Sequence, residues 1–446
     1  MPGAFGAVIA APSSGSGKTT ITLGLLRHFA RERVPVSSFK VGPDYIDPGF
    51  HAAASGRPCL NIDIWAMRAE TVSSLFGQTA LDADIIIGEG VMGLFDGAQS
   101  PPGTSTGSTA DTAAILGLPV ILVVDAGAQA QSAAATVHGF AIFRDDVTVS
   151  GVIFNRVGSD RHARMLCDAV APLGIPVLGC IPRSPDISVP DRHLGLVQAS
   201  EMATLEVFLE SAADLVERHL DMEALKSILR ESDGENAPPP ELPPLSLPIS
   251  PLGQRIAVAS DDAFRFAYPH VLDGWRAAGS EIVLFSPLAD DAPDPASDAV
   301  YLPGGYPELQ AAKLAANAGF VTGLRDAAAR GAAIYGECGG YMILGETLTD
   351  ADGQAHRMAG LLPVETSFAQ RKLHLGYRNA VLSAQTPLGP SATVYGAHEF
   401  HYASTVGLGD APPLFDLSDA AGNDLGPAGL QSGNVFGSFI HLIDHR

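Results

Sequence analysis

Lys18 and Thr19 follow directly on a run of small residues, Ser13-Ser14-Gly15-Ser16-Gly17, and are followed by Thr20. Small residues let successive backbone N–H groups converge on phosphate oxygens, while a lysine reaches the outer phosphates and a threonine hydroxyl offers an oxygen to magnesium. Ser14, Gly15, Ser16, Gly17, Lys18, Thr19 and Thr20 are therefore the candidate nucleotide-binding residues. The usual pattern G-x-x-x-x-G-K-[ST] would place glycine where this chain has Pro12, so a plain Gly/Ser turn before a helix is the competing reading.

A second chemistry centres on Cys338, within Gly336-Glu337-Cys338-Gly339-Gly340. Small residues on both sides permit a sharp strand-to-helix elbow that exposes a nucleophile, and a helix N-terminus is expected to lower the thiol pKa. Cys59, Cys167 and Cys180 read as core residues. The four cysteines have no C-x-x-C spacing, which indicates neither a zinc site nor a disulfide framework and fits a reducing cytoplasm. The partner of Cys338 must be a histidine close in space, and the candidates are His398, His401 and His441.

These residues need elements to hold them. Val8 to Ala11 makes a short apolar strand, and Ile21, Leu25, Leu26 and Phe29 fall on one helical face beyond the loop. A second apolar strand, beginning at Val34, ends in a loop rich in Gly, Pro, Asp and Tyr, which puts Lys40 and Asp44 where open α/β sheets bind ligands. The alternative there is a Pro/Asp turn with a solvated lysine. Ile85-Ile86-Ile87 then runs into a glycine-rich loop carrying Glu89 and Asp96. A glutamate straight after a buried strand needs a counter-charge, since an unpaired buried carboxylate is costly. Glu89 is read as a metal-side group and Asp96 as facing the reacting centre.

Apolar strands recur at 120–125, 151–156 and 176–182 with helical patterns between them, which predicts an α/β fold with a mostly parallel sheet. Asn155-Arg156, at the end of one such strand, reads either as a nucleotide-base contact or as a structural cap. A proline-rich stretch, 232–253, reads as a semi-rigid linker between a P-loop domain, 1–231, and a second α/β domain, 254–446. A chain of 446 residues is too long for one ordinary core, which agrees. The balance of 27 basic against 49 acidic residues, −22 overall, argues against nucleic acid or an anionic membrane as partner. The longest apolar run, Leu116 to Val124, is far short of a membrane span.

Phe39-Lys40-Val41-Gly42-Pro43-Asp44-Tyr45-Ile46-Asp47-Pro48, joined by Asn61-Ile62-Asp63, is the most specific motif in the chain. Together with Glu89 to Gly97, Gly336 to Tyr341 and His398-Glu399-Phe400-His401-Tyr402, it resembles the cobyrinic acid and hydrogenobyrinic acid a,c-diamide synthase family over essentially the whole chain. The resemblance implies a dethiobiotin-synthetase-like P-loop domain followed by a class I glutamine amidotransferase domain. It further implies glutamine hydrolysis at Cys338 with His441 as base, and an oxyanion held by backbone N–H groups near Gly305 and Gly339. Ammonia would pass to the N-terminal site, where ATP activates the a and c carboxylates of a corrin as acyl phosphates.

In that site the resemblance gives Lys40 and Asp96 catalytic roles, Asp44, Tyr45, Ile46 and Asp47 to the substrate, and Thr19, Asp44 and Glu89 to Mg2+. One departure concerns His441. Many glutamine amidotransferases carry glutamate two residues after this histidine, where the chain has Ile443, so the group orienting His441 is open, with Asp444 a candidate. The expected partners are a corrin polycarboxylate, L-glutamine and ATP, without nucleic acid or membrane; a homodimer stays open. Nickel-sirohydrochlorin a,c-diamide synthase shares the plan. A P-loop switch or partitioning ATPase would carry a signature lysine at Ser13 and has no use for Cys338.

Overall fold

A computed structural model of the chain describes residues 5–184, 202, 204–231 and 247–446; of the expected linker, 232–246 lie outside the described residues. The chain divides into two compact units. The first comprises Met1–Trp65, Val72–Gly97 and Ser105–Pro244, and the second Ala66–Thr71, Ala98–Thr104 and Leu245–Arg446.

The first unit is built on strands β1 (Phe5–Ala10), β2 (Val36–Val41), β3 (Cys59–Ile62), β4 (Ile85–Glu89), β5 (Val120–Asp125), β6 (Val149–Val157) and β7 (Val177–Pro182). Their order in the sheet is β3-β2-β4-β1-β5-β6-β7, and every pairing is parallel. Such a sheet is covered on both faces, which is why Val8, Ile86, Ile87 and Val120 to Val124 are buried as continuous apolar runs. Each fully buried Ile or Val stabilises the fold by about 1.5–3 kcal/mol relative to exposure.

Because β1 sits centrally and all strands run one way, the loop after β1 opens at the same edge as the loops after β2 and β4. Helix α1 (Lys18–Arg31) leaves that loop, and α2 (Asp47–Ser55) leaves the loop after β2. Register aligns the site: Lys40 on β2 pairs with Glu89 on β4, Glu89 pairs with Ile9 on β1, and Lys40 pairs with Asn61 on β3.

The second unit holds a six-stranded sheet containing β8 (Arg255–Ala259), β9 (Glu281–Phe285), β10 (Ala299–Leu302) and β11 (Ala333–Glu337). Its order is Leu430–Ser432, Val435–Ser438, β11, β10, β8, β9, antiparallel only at the first pair. A five-stranded antiparallel sheet brings Val394–His401 against Ile440–His445, with His398 opposite His441. Among the described residues, no helix is long and apolar enough to cross a membrane. Both units are α/β, as the strand pattern predicts.

Candidate active sites

In the first unit the loop between β1 and α1 leaves Ser13, Ser14 and Gly15 exposed while Ser16 and Lys18 are buried. Gly17 adopts φ +96°. A β-carbon there would stand 2.2 Å from Asn155 Nδ2, so only glycine fits. Asn155 donates from Nδ2 to the Ser16 carbonyl (2.9 Å) and so braces the loop from below, a structural role. The glycine-rich loop after β4 is stitched to the same place: Gly90 N–H donates to Ile9 O (2.9 Å), Leu94 N–H to Ala11 O (2.8 Å) and Lys18 Nζ to Met92 O (2.6 Å).

Glu89 is fully buried at the centre of this arrangement. Its Oε1 accepts from Thr19 Oγ1 (2.6 Å) and Lys40 Nζ (3.0 Å), and its Oε2 lies 2.7 Å from His51 Nε2. Lys40 also donates to Asp47 Oδ2 (2.6 Å), with Asp44 Oδ2 at 3.9 Å. Burial works against all of these charges; proximity outweighs it for Lys40, Glu89 and His51, whereas burial and Asp44 raise Asp47 to about 7. The Lys40 ammonium is held well above its ordinary range because Asp47 and Glu89 overcome burial, and Glu89 is held well below its own by Lys40 and His51. Burial would also lower His51, yet Cys59 and Glu89 push it up to about 10. Lys18 is lowered, by burial and then by the Lys40 charge.

Asp44 is spent partly on local structure: its Oδ1 accepts from the N–H groups of Ile46 (2.8 Å) and Asp47 (2.9 Å), which orders the entry to α2. Tyr45 is half-buried in that turn, Ile46 buried, and Thr20 lies half-buried in the first turn of α1. Asp96 is exposed and accepts from Gly93 N–H (2.8 Å). Hard oxygens from Thr19 and Glu89 stand side by side, the donor set magnesium prefers. His51 was not singled out from the sequence; its spacing of four from Asp47 on α2 puts both on one helix face, a signal that could have found it. Asn61 likewise braces the loop, donating to Gly42 O (2.9 Å) and Asp44 O (2.7 Å).

In the second unit Cys338 caps β11 with φ +45° and ψ −102°, a strained conformation for a non-glycine residue and the elbow that the flanking glycines predict. Its N–H donates to Ser438 O (2.8 Å). A β-carbon on Gly304 would fall 2.4 Å from His441 Cε1 and 3.3 Å from Cys338 Cβ, so the bare Gly304 backbone lets Cys338 and His441 approach one another, while the thiol donates to Phe400 O (3.8 Å). A β-carbon on Gly339 would fall 3.0 Å from Gly305 N, which places these two backbone segments together as well.

The expectation of a lowered thiol pKa is overturned. The helix after Cys338, Gly339–Leu344, is only 6 residues long. Burial, with Glu308, Glu337 and Glu399 nearby, pushes the thiol up instead, opposed by the Gly339 N–H. Burial, with His398 and His401, lowers His441 to about 3, so thiol and imidazole both rest neutral.

Asp444 does not orient His441. The pairing of this strand with Val394–His401 shifts register between Leu442 and Asp444, so spacing alone does not decide the matter, and the partners do. The Asp444 carboxylate instead accepts from Arg68 N–H (2.9 Å) and Nη2 (2.9 Å). The polar group beside His441 is Glu337, whose Oε2 lies 3.8 Å from His441 Nδ1.

His374, Glu399 and His401 also cluster, with donor atoms within 4.8 Å of one another. The two imidazoles stack at 4.6 Å and 3°, however. An imidazole lone pair lies in its ring plane, and one ion cannot lie in two parallel planes. Glu399 instead pairs with His401 Nε2 (2.9 Å) and Arg378 Nη2 (2.7 Å).

Comparison with known proteins finds two family matches along the chain. Residues 7–197 match the CobQ/CobB/MinD/ParA nucleotide binding domain, and residues 255–446 match the CobB/CobQ-like glutamine amidotransferase domain. The chain is 56% identical over 442 residues to hydrogenobyrinate a,c-diamide synthase of Brucella abortus biovar 1, covering 98% of each chain. It is 53% identical over 446 residues to the protein of that name from Rhizobium meliloti, covering 98% of this chain and 99% of that one. With the protein of that name from Agrobacterium fabrum it shares 49% over 438 residues and 98% of each chain.

Proposed function

The chain belongs to the hydrogenobyrinate a,c-diamide synthase family, and from that premise we propose that it amidates the a and c carboxylates of hydrogenobyrinate using ATP and glutamine. It is a ligase of the glutamine amidotransferase type. The observation that carries the reading is one chain holding both a buried cation row behind a phosphate loop, Lys18 and Lys40, and a strained cysteine elbow with a histidine on the other side of Gly304, Cys338 and His441.

A carboxylate does not react with ammonia until it carries a leaving group. In the first unit the γ-phosphoryl group of ATP passes to the substrate carboxylate, and Lys18 and Lys40 offset the charge that spreads over the transferred oxygens. The Thr19 hydroxyl and Glu89 would hold Mg2+, which adds positive charge against the phosphates. Asp44, Tyr45, Ile46 and Asp47 form the loop assigned to the corrin side chains, and the exposed Asp96 is assigned to the reacting centre. Ammonia then displaces inorganic phosphate to leave the amide.

In the second unit the Cys338 thiol gives its proton to His441 as sulfur bonds to the glutamine carboxamide carbon. The N–H groups of Gly305 and Gly339 stabilise the resulting oxyanion. His441 returns the proton as ammonia leaves, and water releases glutamate from the thioester. A neutral resting pair suits this, because the proton then moves only when substrate fills the site.

The test is to incubate the protein with ATP, Mg2+ and glutamine against hydrogenobyrinic acid, cobyrinic acid and nickel-sirohydrochlorin in turn, and to weigh the products. Two added amides on hydrogenobyrinic acid alone support the assignment. Turnover confined to either metallated macrocycle overturns it.

A further inference from the structure

We propose that Glu337 is the residue that positions His441, facing its Nδ1 edge while the other ring nitrogen takes the Cys338 proton. This rests on the reading of Cys338 and His441 as the glutaminase pair.

The geometry follows from the register of the sheet. Tyr335 and Glu337 alternate onto one face of β11, and Tyr301 on β10 is the register partner of Tyr335. The Tyr335 hydroxyl donates to Glu337 Oε1 (2.8 Å), Leu442 N–H donates to the same oxygen (3.1 Å), and the Tyr301 hydroxyl donates to Oε2 (2.7 Å). A carboxylate has about four acceptor sites. Three are taken, two on Oε1 and one on Oε2, so the open one belongs to Oε2. That oxygen is the one 3.8 Å from His441 Nδ1, with the two side chains 3% and 0% exposed.

The separation exceeds a hydrogen bond, and catalytic contacts of this kind commonly tighten only when substrate binds. No other group on the strand of His441 serves: Asp444 is taken by Arg68, and Ile443 is apolar. The other charges near His441 are His398 and His401, which oppose a positive ring, and Glu399, which favours one. Glu399 is already compensated by His401 and Arg378. Near Cys338 stand Glu308, Glu337 and Glu399. Glu337 is the one of these with an oxygen 3.8 Å from the ring and an acceptor site left for it.

The proton balance is simple. The sulfur–hydrogen bond breaks, His441 Nε2 gains the proton, and the sulfur–carbon bond to glutamine forms. The ring is then an imidazolium whose Nδ1–H faces Glu337 Oε2, and Glu337 keeps its own protonation state.

The test compares Glu337→Gln with wild type in glutamine hydrolysis and in the pH profile of Cys338 alkylation by iodoacetamide, read by peptide mass. Glu337→Gln should lower kcat by about 10- to 1,000-fold with KM for glutamine unchanged, below the ~10⁴-fold of a fully hydrogen-bonded triad carboxylate. The alkylation midpoint should move to lower pH, because a carboxylate that holds the thiol up is gone, so the fall in kcat reports the ring and not a scarcer thiolate. Unchanged kcat and an unmoved midpoint in folded protein overturn the proposal. If Glu337→Gln does not fold, Glu337→Asp keeps the charge but withdraws it by one methylene. It should shift the midpoint in the same direction by less, and an unmoved midpoint is again fatal. Cys338→Ala and His441→Ala run alongside. Hydrolysis surviving in these sinks the glutaminase reading itself, whereas its loss there with a wild-type Glu337→Gln sinks only the role of Glu337.

Discussion

Lys40 Nζ lies 3.0 Å from Glu89 Oε1, on register-paired positions of adjacent strands, with the side chains 4% and 0% exposed. Parallel pairing of β2 with β4 makes this contact, and burial makes each charge depend on the other.

Removing one member of a buried pair leaves an uncompensated charge, at a cost of about 3–5 kcal/mol. Lys40→Met should therefore destabilise the first unit by about that much, moderated by His51 on the other carboxylate oxygen. Adding Glu89→Gln should recover part of the stability but none of the amide synthesis. Urea unfolding of the single and double variants measures the coupling, and strictly additive losses would contradict it.

Cys338→Ala should lose glutamine-dependent synthesis and still form diamide from concentrated ammonium salt at alkaline pH, and His441→Ala should behave alike. His398→Ala, opposite His441 in the sheet, should show a milder or different defect. Lys18→Ala should fail with either nitrogen source, because acyl phosphate formation precedes attack. Product mass with each donor decides the matter, and a folded Cys338→Ala protein unable to use ammonium would defeat the two-site reading.

Gly304→Ala would put a methyl group 2.4 Å from His441 Cε1. The imidazole must shift, and displacements near 1 Å in a catalytic pair cost on the order of 10²-fold. Glutaminase turnover should fall by about that factor with ammonium-dependent synthesis preserved. Wild-type glutaminase kinetics in this variant would place the ring elsewhere.

Burial raises Glu337 from its ordinary 4.5 to about 7, against the Tyr301 and Tyr335 hydroxyls. A carboxyl group whose folded pKa is raised binds more protons folded than unfolded, so stability falls as pH rises between those values. Wild type should lose on the order of 3 kcal/mol from this group between pH 4.5 and about 7, then no more. Glu337→Gln should lack that slope, whatever its absolute stability. Urea melts at half-unit pH intervals test it, and parallel curves for the two proteins would refute it.

The sequence by itself determined the chemistry on offer and its two-part division. Gly17-Lys18-Thr19 after an apolar strand dictates a phosphate loop, and Cys338 between glycines dictates an elbow, because both depend on neighbours along the chain. Which side chains meet across the sheets was decided only by tertiary structure. The order β3-β2-β4-β1-β5-β6-β7 is not the order of the chain, so Asn155 beneath Ser16 and Glu89 against Thr19 and His51 could not be read from spacing. The thiol shift reversed for the same reason: local geometry favours a thiolate, but burial among Glu308, Glu337 and Glu399 is set by segments distant in sequence. Asp444 could be set aside only once Arg68 was seen to take its carboxylate. Glu337 could not have been chosen, since its one open acceptor site exists only once Tyr301, Tyr335 and Leu442 have filled the rest.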